Sequence, residues 1–280
     1  MRGSLGEKIG EGVCADVHAW APGQVVKLFK SGMSRRLSWH EVHMTHAVFA
    51  AGGPAPEVLG LVTLEGRFGF VLPRFDGPTL LQLTRTGAMT RGQAGAILAE
   101  LCLAVHKTPP PSDVLTLRDW VNVWMKGTSG RLPPHIATGI LDLIDRLPPD
   151  DELCHGDLHP ANVIMTAEGP RLVDWTSSVR GRAAFDLAHS HILLTEFAAE
   201  AADDPERPRA VNEALQSEYA RLAGVSPTAL TAAIESYLPI SSVLFLLGGA
   251  FPAHRERLLQ RIEAACANSA TQRHETMGEG

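Results

Sequence analysis

Two short stretches of this sequence are the most informative about its fold. They are HGDLHPAN at residues 155–162 and LVDW at residues 172–175. They place an acid at Asp157, an amide five residues later at Asn162, and a second acid at Asp174, at the end of a predicted hairpin strand. The oxygen atoms of these three side chains would then lie close together. Hard oxygen ligands suit a magnesium-bound phosphate donor, and a separate carboxylate can orient a hydroxyl nucleophile. The pattern indicates a reaction whose catalysis depends on the placement of the reacting groups and on electrostatic stabilisation of their charge.

The same stretches resemble the HxDxxxxN catalytic loop and the DFG-like aspartate of the protein-kinase-like superfamily. The form HGDLHPxN is similar to the branch that contains aminoglycoside phosphotransferases and choline kinases. The resemblance implies that Asp157 is the catalytic base or hydroxyl-orienting residue and that Asn162 and Asp174 bind Mg²⁺. It also implies transfer of the γ-phosphoryl group of ATP or GTP to a hydroxyl of a small molecule. We therefore expect an α+β, two-lobed fold with a small antiparallel sheet in the N-lobe and a mostly helical C-lobe.

Several departures distinguish the chain from protein kinases. It has no arginine between His155 and Asp157, Trp175 stands in place of Phe, and Thr176 stands in place of Gly. No Ala-Pro-Glu element follows Asp174. Two alternatives to a small-molecule kinase remain at this stage: a protein Ser/Thr kinase-like enzyme, and a catalytically silent nucleotide-binding regulatory module on the same fold.

A second motif lies upstream of the catalytic loop. IGEGVCADV, at residues 9–17, resembles a GxGxxGxV phosphate loop with alanine at the third glycine position, and VVK ends at Lys27. The resemblance implies that Gly10 and Gly12 approach the nucleotide phosphates and that Lys27 contacts the α and β phosphates. No GxxxxGK[ST] sequence is present, which excludes the other common phosphate cradle.

Glu41 is the candidate partner of Lys27. It shares one stripe of a predicted helix with apolar residues, and a carboxylate on a buried face needs a partner. These residues are Leu37, Met44, Val48 and Ala51. The competing interpretation is a capping box, in which Ser38 and Glu41 satisfy the start of the helix.

Two further residues have supporting roles by resemblance. His155 would be a structural histidine within the catalytic loop, and Asp186, in the sequence Asp-Leu-Ala, would anchor that loop from a helix. An aspartate at the head of a helix can also be only a cap. The resemblance extends from residue 10 to residue 188, about two-thirds of the chain.

The organisation of the chain fits two lobes. Residues 1–75 form the predicted nucleotide-binding lobe, and residues 76–280 form the catalytic and acceptor-binding lobe, with a frayed tail from about residue 268. Adenine would lie against backbone groups near Pro73 and Phe75. The predicted strands are 5–10, 14–20, 24–29, 58–64 and 68–73, with one helix over 34–51. In the second lobe we predict strands at 162–165 and 171–175 and helices that begin at Thr90, Ala184, Arg209, Ser226 and Pro239.

Composition excludes other classes of function. The chain has 280 residues, a formal charge of -6 and no basic region to bind nucleic acid or anionic lipid. Its longest apolar stretch, residues 237–251, is shorter than the roughly 20 residues of a bilayer span. Four cysteines without a paired motif favour a reduced compartment, and no secretory signal is evident. We expect a cytoplasmic enzyme without nucleic-acid or membrane partners.

Other features have two interpretations each. His40, His43 and His46 suggest a metal site, but a partly exposed polar face is the simpler interpretation. Cys14 is a candidate redox residue, and Trp120 and Trp124 are either core or a cation-binding pair. One acidic group suggests a cationic acceptor such as an aminoglycoside, choline or an amino alcohol, although a solvated helix face explains it equally well. This group comprises Glu196, Glu200, Asp203, Asp204 and Glu206.

Overall fold

A computed structural model describes residues 5–128, 130–249 and 251–278, and begins with an antiparallel five-stranded sheet. The strands lie side by side in the order β1-β2-β3-β5-β4. The number of strands is as predicted, and the observed ends differ by at most three residues. The bounds are β1 Lys8–Glu11, β2 Ala15–Ala19, β3 Gln24–Phe29, β4 Gly60–Leu64 and β5 Arg67–Pro73.

One helix, α1 (Arg35–Ala50), packs against this sheet. Its buried Val42 belongs to a core cluster with Phe29 and Phe70 on one face of the sheet. The register places Lys27 in the middle of β3, opposite Val17 of β2 and Phe70 of β5. The lysine is therefore fixed by strand neighbours on both sides.

The segment after β5 is docked on the second lobe. Met165 donates its backbone N–H to the carbonyl oxygen of Pro78 at 2.9 Å. Gly77 has a φ of 155°, and a Cβ atom there would lie 1.9 Å from the carbonyl oxygen of Met165. Only glycine fits such a close approach of two backbones.

Helices dominate the next part of the chain. Capping boxes begin α2 and α3, formed by Thr79 with Gln82 and by Thr90 with Gln93, and the second confirms the predicted start of that helix. The bounds are α2 Leu80–Thr86, α3 Arg91–Lys107, α4 Leu117–Gly127 and α5 Pro134–Ile144.

Two small antiparallel sheets carry the catalytic segment. β6 (Glu152–Cys154) pairs with β9 (Val179–Gly181), and β7 (Val163–Thr166) pairs with β8 (Gly169–Leu172). The prediction of a strand over 171–175 is wrong at its carboxyl end, because Asp174 has a left-handed backbone with φ of 68°. A left-handed residue cannot continue the pleat of a strand.

The rest of the chain is helical. It comprises α6 Ala183–Ile192, a π-helical segment Leu193–Ala198, α7 Ala199–Ala201, α8 Glu206–Ala223, α9 Pro227–Gly248 and α10 Arg255–Gly278. Ser226 caps α9 as predicted, by accepting the N–H of Ala229.

One prediction in this region is wrong. No new helix begins at Pro239, because this proline lies inside α9, whose following turns are buried and hold the helix together despite one missing N–H donor. The backbone after residue 268 is helical through Gly278, and fraying of this tail stays a prediction.

Among the described residues one helix, α9, could cross a membrane by length and composition alone. However, 67% of its most apolar window is buried inside the protein, as expected for a core helix. The largest apolar cluster lies mainly in the second lobe and includes residues of α9 together with Trp175 and Phe185. This core supports the segment that carries Asp157 and Asp174.

Candidate active site

The amide of Asn162 is held by Asp157. Its Nδ2 donates to the backbone oxygen of Asp157 at 2.9 Å and to the carboxylate Oδ2 at 3.1 Å. With the nitrogen used in this way, the amide oxygen is the atom left for a ligand. The Asp157 side chain keeps 32% of its surface exposed, so a second molecule can reach its carboxylate.

His159 lies beside the Asp157 carboxylate. Its Nδ1 accepts the N–H of Ala161 at 3.3 Å, and its Nε2 lies 3.6 Å from Asp157 Oδ1. Burial opposes charge on both groups, but each charge stabilises the other, so that the pKa of His159 is raised and the pKa of Asp157 is lowered. The Asp157 carboxylate is therefore ionised at neutral pH.

His155 connects the catalytic loop to the segment of Asp174. Its Nδ1 accepts the backbone N–H of Asp157 at 3.2 Å, and its Nε2 donates to the carbonyl oxygen of Val173 at 3.2 Å. The ring also stands edge-on to Trp175, with centroids 4.7 Å apart. Burial lowers the pKa of His155, which favours the neutral form that these two hydrogen bonds require.

Asp186 holds the catalytic loop from α6. Its carboxylate is fully buried and accepts the backbone N–H groups of His155 at 2.7 Å and Gly156 at 2.6 Å. The oxygens of Asp186 therefore accept hydrogen bonds from the loop and do not cap the helix. This supports the interpretation of Asp186 as the anchor of the loop. Gly156 has a φ of 75°, and a Cβ atom there would lie 2.1 Å from the carbonyl oxygen of Ser177, so the loop requires glycine.

Asp186 has a third partner that the sequence did not reveal. Nε2 of His106 on α3 lies 3.2 Å from its carboxylate, and Nδ1 of the same ring lies 2.8 Å from the hydroxyl of Tyr219 on α8. Cys102 lies close enough to make a metal cluster with these groups. However, both ring nitrogens of His106 and both oxygens of Asp186 are used in hydrogen bonds, so the arrangement is a hydrogen-bond chain from α8 to the catalytic loop.

Asp174 lies opposite the first lobe. Its Oδ1 accepts the hydroxyl of Thr176 at 2.8 Å and lies 3.5 Å from Nζ of Lys27. Burial opposes its charge, but Lys27 keeps the pKa of Asp174 below its usual range. The side chain is 39% exposed, which leaves surface for a ligand. A non-glycine residue with a left-handed backbone is uncommon, and such residues concentrate at functional sites.

Lys27 and Glu41 form the ion pair that the helix pattern favoured. The Glu41 side chain is 2% exposed, and one of its oxygens bonds Lys27 while the other has no partner among the described residues. Burial raises the pKa of Glu41, while Asp174 and Glu41 together raise the pKa of Lys27 against the effect of burial. The capping-box alternative is wrong, because α1 begins at Arg35 and Ser38 lies within it.

The glycine loop consists of the end of β1, which contains Gly10, and the turn to β2, which contains Gly12. The N–H of Gly12 donates to the carbonyl oxygen of Ala15 at 2.8 Å. Added Cβ atoms at Gly10 and Gly12 would meet their nearest atoms at 3.5 Å, which is ordinary contact. Protein packing therefore does not explain why these two positions are glycine, whereas close approach of a ligand would.

The structure places the predicted adenine contacts at the end of β5. Pro73 is the last residue of that strand, opposite Gln24. Phe75 follows in the linker, where the guanidinium of Arg171 lies 5.9 Å from the centre of its ring. Both residues therefore lie at the junction of the two lobes.

The three histidines of α1 do not form a metal cluster within the described part of the chain. The ring of His40 stacks on Trp120 with centroids 4.8 Å apart, and His43 pairs with Asp113 at 2.8 Å. Trp120 is buried in the core and thereby connects α4 with the helix of Glu41. Burial raises the pKa of Cys14, so its thiol is not activated as a nucleophile.

The acidic group that suggested a cationic acceptor is largely neutralised by arginines. Four of its five members have guanidinium partners, and only Asp203 has no ion-pair partner among the described residues. The pairs are Glu196–Arg261 at 2.5 Å, Glu200–Arg257 at 2.6 Å, Asp204–Arg91 at 2.6 Å and Glu206–Arg209 at 2.7 Å. The interpretation as a solvated, paired surface is the better one.

Comparisons with known proteins identify the family and the fold of the chain. A family model described as the phosphotransferase enzyme family matches residues 17–225. No curated protein sequence matches the chain. Three solved structures, each under 20% identical, share its fold over most of both chains.

The first of these structures is a choline/ethanolamine kinase family protein from Mesorhizobium loti, with a TM-score of 0.61, 19% identity, and coverage of 94% of this chain and 88% of that chain. The second is the GDP complex of aminoglycoside 2'-phosphotransferase-IIIa, with a TM-score of 0.54, 15% identity, and coverage of 95% and 94%. The third is the streptomycin–ATP ternary complex of APH(2'')-IIa, with a TM-score of 0.55, 16% identity, and coverage of 94% and 90%. The two-lobed, kinase-like fold expected from the sequence is thereby confirmed.

Proposed function

Because the chain belongs to the phosphotransferase enzyme family, we propose that it transfers the γ-phosphoryl group of ATP or GTP to a hydroxyl group of a small molecule. One observation carries this proposal: Lys27 from the first lobe lies 3.5 Å from Asp174, in the segment that His155 connects to Asp157. A cation, two carboxylates and an amide are thus brought to one cleft. Phosphoryl transfer requires such a set to place the donor and neutralise its charge.

We assign the donor side of the site to the first lobe. Lys27, oriented by Glu41, would neutralise the phosphates, and the glycine loop with Gly10 and Gly12 would cover them without a clash. The base would lie at the junction near Pro73 and Phe75. The ATP and GDP complexes of the similar structures support a nucleotide donor whose base is adenine or guanine. In this proposal residues 1–75 hold the nucleotide, and residues 76–280 supply catalysis and the acceptor site.

Asn162 and Asp174 would hold Mg²⁺. They offer an amide oxygen and an exposed carboxylate, the hard ligands that this ion prefers, so the residues fit the ion. When bound, Mg²⁺ would neutralise charge on the donor phosphates. Lys27 next to Asp174 keeps this carboxylate ionised and ready to bind a cation.

Asp157 would bind the acceptor hydroxyl. Because its pKa is lowered, the carboxylate is a weak base that does not remove the proton in advance. Its role is to accept a hydrogen bond from the hydroxyl, to aim the oxygen at the phosphorus atom, and to take the proton late in the transfer. The Asn162 and His159 contacts hold the carboxylate in place for this role.

The alternatives are less well supported. A protein kinase would need the arginine, glycine and Ala-Pro-Glu elements that are missing from the segment around Asp157 and Asp174. A silent module would not need every catalytic side chain in place. All four cysteines are free in the described chain, which is consistent with the cytoplasmic location that we propose.

A coupled assay of ADP and GDP release tests the proposal. It would screen aminoglycosides, choline, amino alcohols and sugars as acceptors, with and without Mg²⁺, against the wild type and Asp157→Asn. We expect Mg²⁺-dependent turnover that falls by roughly 10²–10⁴-fold in Asp157→Asn, with nucleotide affinity retained. Asp119→Asn, an exposed helix position, is the matched control. Turnover that is unchanged in Asp157→Asn would contradict the proposed role.

A further inference from the structure

A cavity of about 310 Å³ opens beside the catalytic loop. Pro160 forms part of its wall and follows Asp157 by three residues. Because three residues span at most roughly 10 Å, the cavity lies within one small molecule's length of the carboxylate. Its volume is at the lower end of the range for ligand sites. The apolar part of the wall includes Leu81, Pro160, Leu194, Ala198, Ala201 and Val211.

The backbone is irregular where it lines this cavity. Leu194 and Ala198 belong to the π-helical segment Leu193–Ala198, between α6 and α7. A π turn widens a helix and changes the direction of its side chains, and such segments occur frequently at functional sites. Arg261 of α10 bonds Glu196 within the segment at 2.5 Å and holds it from the other side. The irregularity is therefore built into the fold at the cavity wall.

The charge of the cavity is positive. Its lining contains Arg85, Arg207 and one acid, Asp203. Arg85 has no carboxylate partner among the described residues. Arg207 is paired weakly, because it lies 3.6 Å from Asp204, whose carboxylate already bonds Arg91 at 2.6 Å. An adjacent, more open cavity shares Arg85 and Arg207 and adds Arg91. Arg207 also stands in the first turn of α8, where the helix dipole adds positive potential.

An aminoglycoside or another polycation needs several uncompensated carboxylates. Asp203 alone is available here, and the same lining contains two arginines. An anionic group would instead form ion pairs with the unpaired Arg85 and the weakly paired Arg207, since guanidinium binds carboxylate and phosphate well. An apolar body would fill the wall of leucine, alanine and proline.

We infer that this cavity is the acceptor site and that the acceptor is a hydroxyl compound with an apolar body and one anionic group. The inference rests on the proposed function for its reaction, but the site and its selectivity are properties of the cavity alone. The hydroxyl end of the acceptor points to Asp157, and its anionic end lies at Arg85 and Arg207. The carboxylate or phosphate thereby distinguishes this acceptor from choline and aminoglycosides.

Binding of three probes with the same chain tests this inference. The probes are 8-hydroxyoctanoate, 1,8-octanediol and 8-amino-1-octanol, which differ only in charge at one end. Calorimetry would measure their affinity for the wild type, Arg85→Gln and Ala201→Trp, each with and without saturating nucleotide. Arg221→Gln, at the far end of α8, and Ala232→Trp, exposed on α9, are the matched controls.

We expect 8-hydroxyoctanoate to bind at least about 10-fold more tightly than 8-amino-1-octanol, a difference of about 1.4 kcal/mol. Arg85→Gln should remove most of this difference without weakening the diol. Ala201→Trp should weaken all three probes, because it fills the cavity, and both controls should match the wild type. Equal or tighter binding of the amine, no effect of Ala201→Trp, or no binding of any probe up to about 10 mM would overturn the inference.

A titration with Mg²⁺ and nucleotide on the same samples separates the two proposals. If nucleotide binds and the carboxylate probe does not bind more tightly than the amine, only the acceptor inference fails. If the nucleotide does not bind, the proposed function fails, whatever the probes do.

Discussion

Asp186→Asn should destabilise the protein and disorder its catalytic loop. In the wild type the buried carboxylate accepts three hydrogen bonds, from the backbone N–H groups of His155 and Gly156 and from His106. A carboxamide of the same shape has one acceptor oxygen and an NH₂ group. At least one of the three donors must then face another donor in a site with no water access.

The magnitude follows from these contacts. An unsatisfied buried donor costs about 1–3 kcal/mol, and the remaining bonds lose the contribution of the negative charge. The free energy of unfolding should fall by about 2–4 kcal/mol, which lowers the melting temperature by roughly 5–15 °C for a chain of this size. The kcat should fall as well, because the N–H groups that lose their acceptor belong to the two residues before Asp157.

Thermal and urea unfolding, with steady-state kinetics, measure both effects. The control is Asp145→Asn, which makes the same chemical change in an exposed ion pair with Arg118 and should cost at most about 1 kcal/mol. If Asp186→Asn and Asp145→Asn had the same melting temperature and the same kcat, the role of Asp186 as the anchor of the loop would be refuted.

Three further predictions concern the surroundings of this anchor. Tyr219→Phe removes the hydroxyl 2.8 Å from His106 and should cost about 1 kcal/mol in urea unfolding, whereas no measurable change would show that the bond is unimportant. Gly156→Ala should abolish turnover, because its Cβ atom would meet a carbonyl oxygen at 2.1 Å; an active variant with the wild-type melting temperature would exclude the described loop geometry. The melting temperature should fall as the pH is lowered from 6.5 to about 4, because burial lowers the pKa values of His40 and His189 to about 4, so that the unfolded chain binds more protons over this interval. His40→Phe cannot take up a proton and should make this decline shallower; an unchanged slope would contradict burial of a neutral His40.

The local patterns of the sequence predicted much of the fold. Five strands and one helix were found in the first lobe because glycine turns separate short apolar runs, and β3 was predicted with its observed bounds. The ion pair of Lys27 and Glu41 was found because an acid on an apolar helix stripe needs a partner. Each of these arguments depends on neighbours within one element or on a charge that burial makes costly.

Several contacts between distant elements were not predicted from the sequence. His106 and Tyr219 are 113 residues apart, and nothing in either helix predicts that they meet at Asp186. The strand pair β6 and β9 was missed because each strand has only three residues. The left-handed backbone of Asp174 was missed because its cause is the packing of the loop and not a glycine. The pairing of the acidic group with arginines of α3 and α10 likewise needed the folded structure.

Calorimetric titration with a non-hydrolysable ATP analogue, AMPPNP, tests the central claim most directly. The titration would be made with Mg²⁺ and with EDTA, on the wild type and on Asp174→Asn. The proposed site predicts that Mg²⁺ increases the affinity of the wild type at least about 10-fold and that Asp174→Asn loses this increase. Equal affinity with Mg²⁺ and with EDTA, or an increase that survives in Asp174→Asn, would contradict a site in which Asp174 binds the metal of a nucleotide complex.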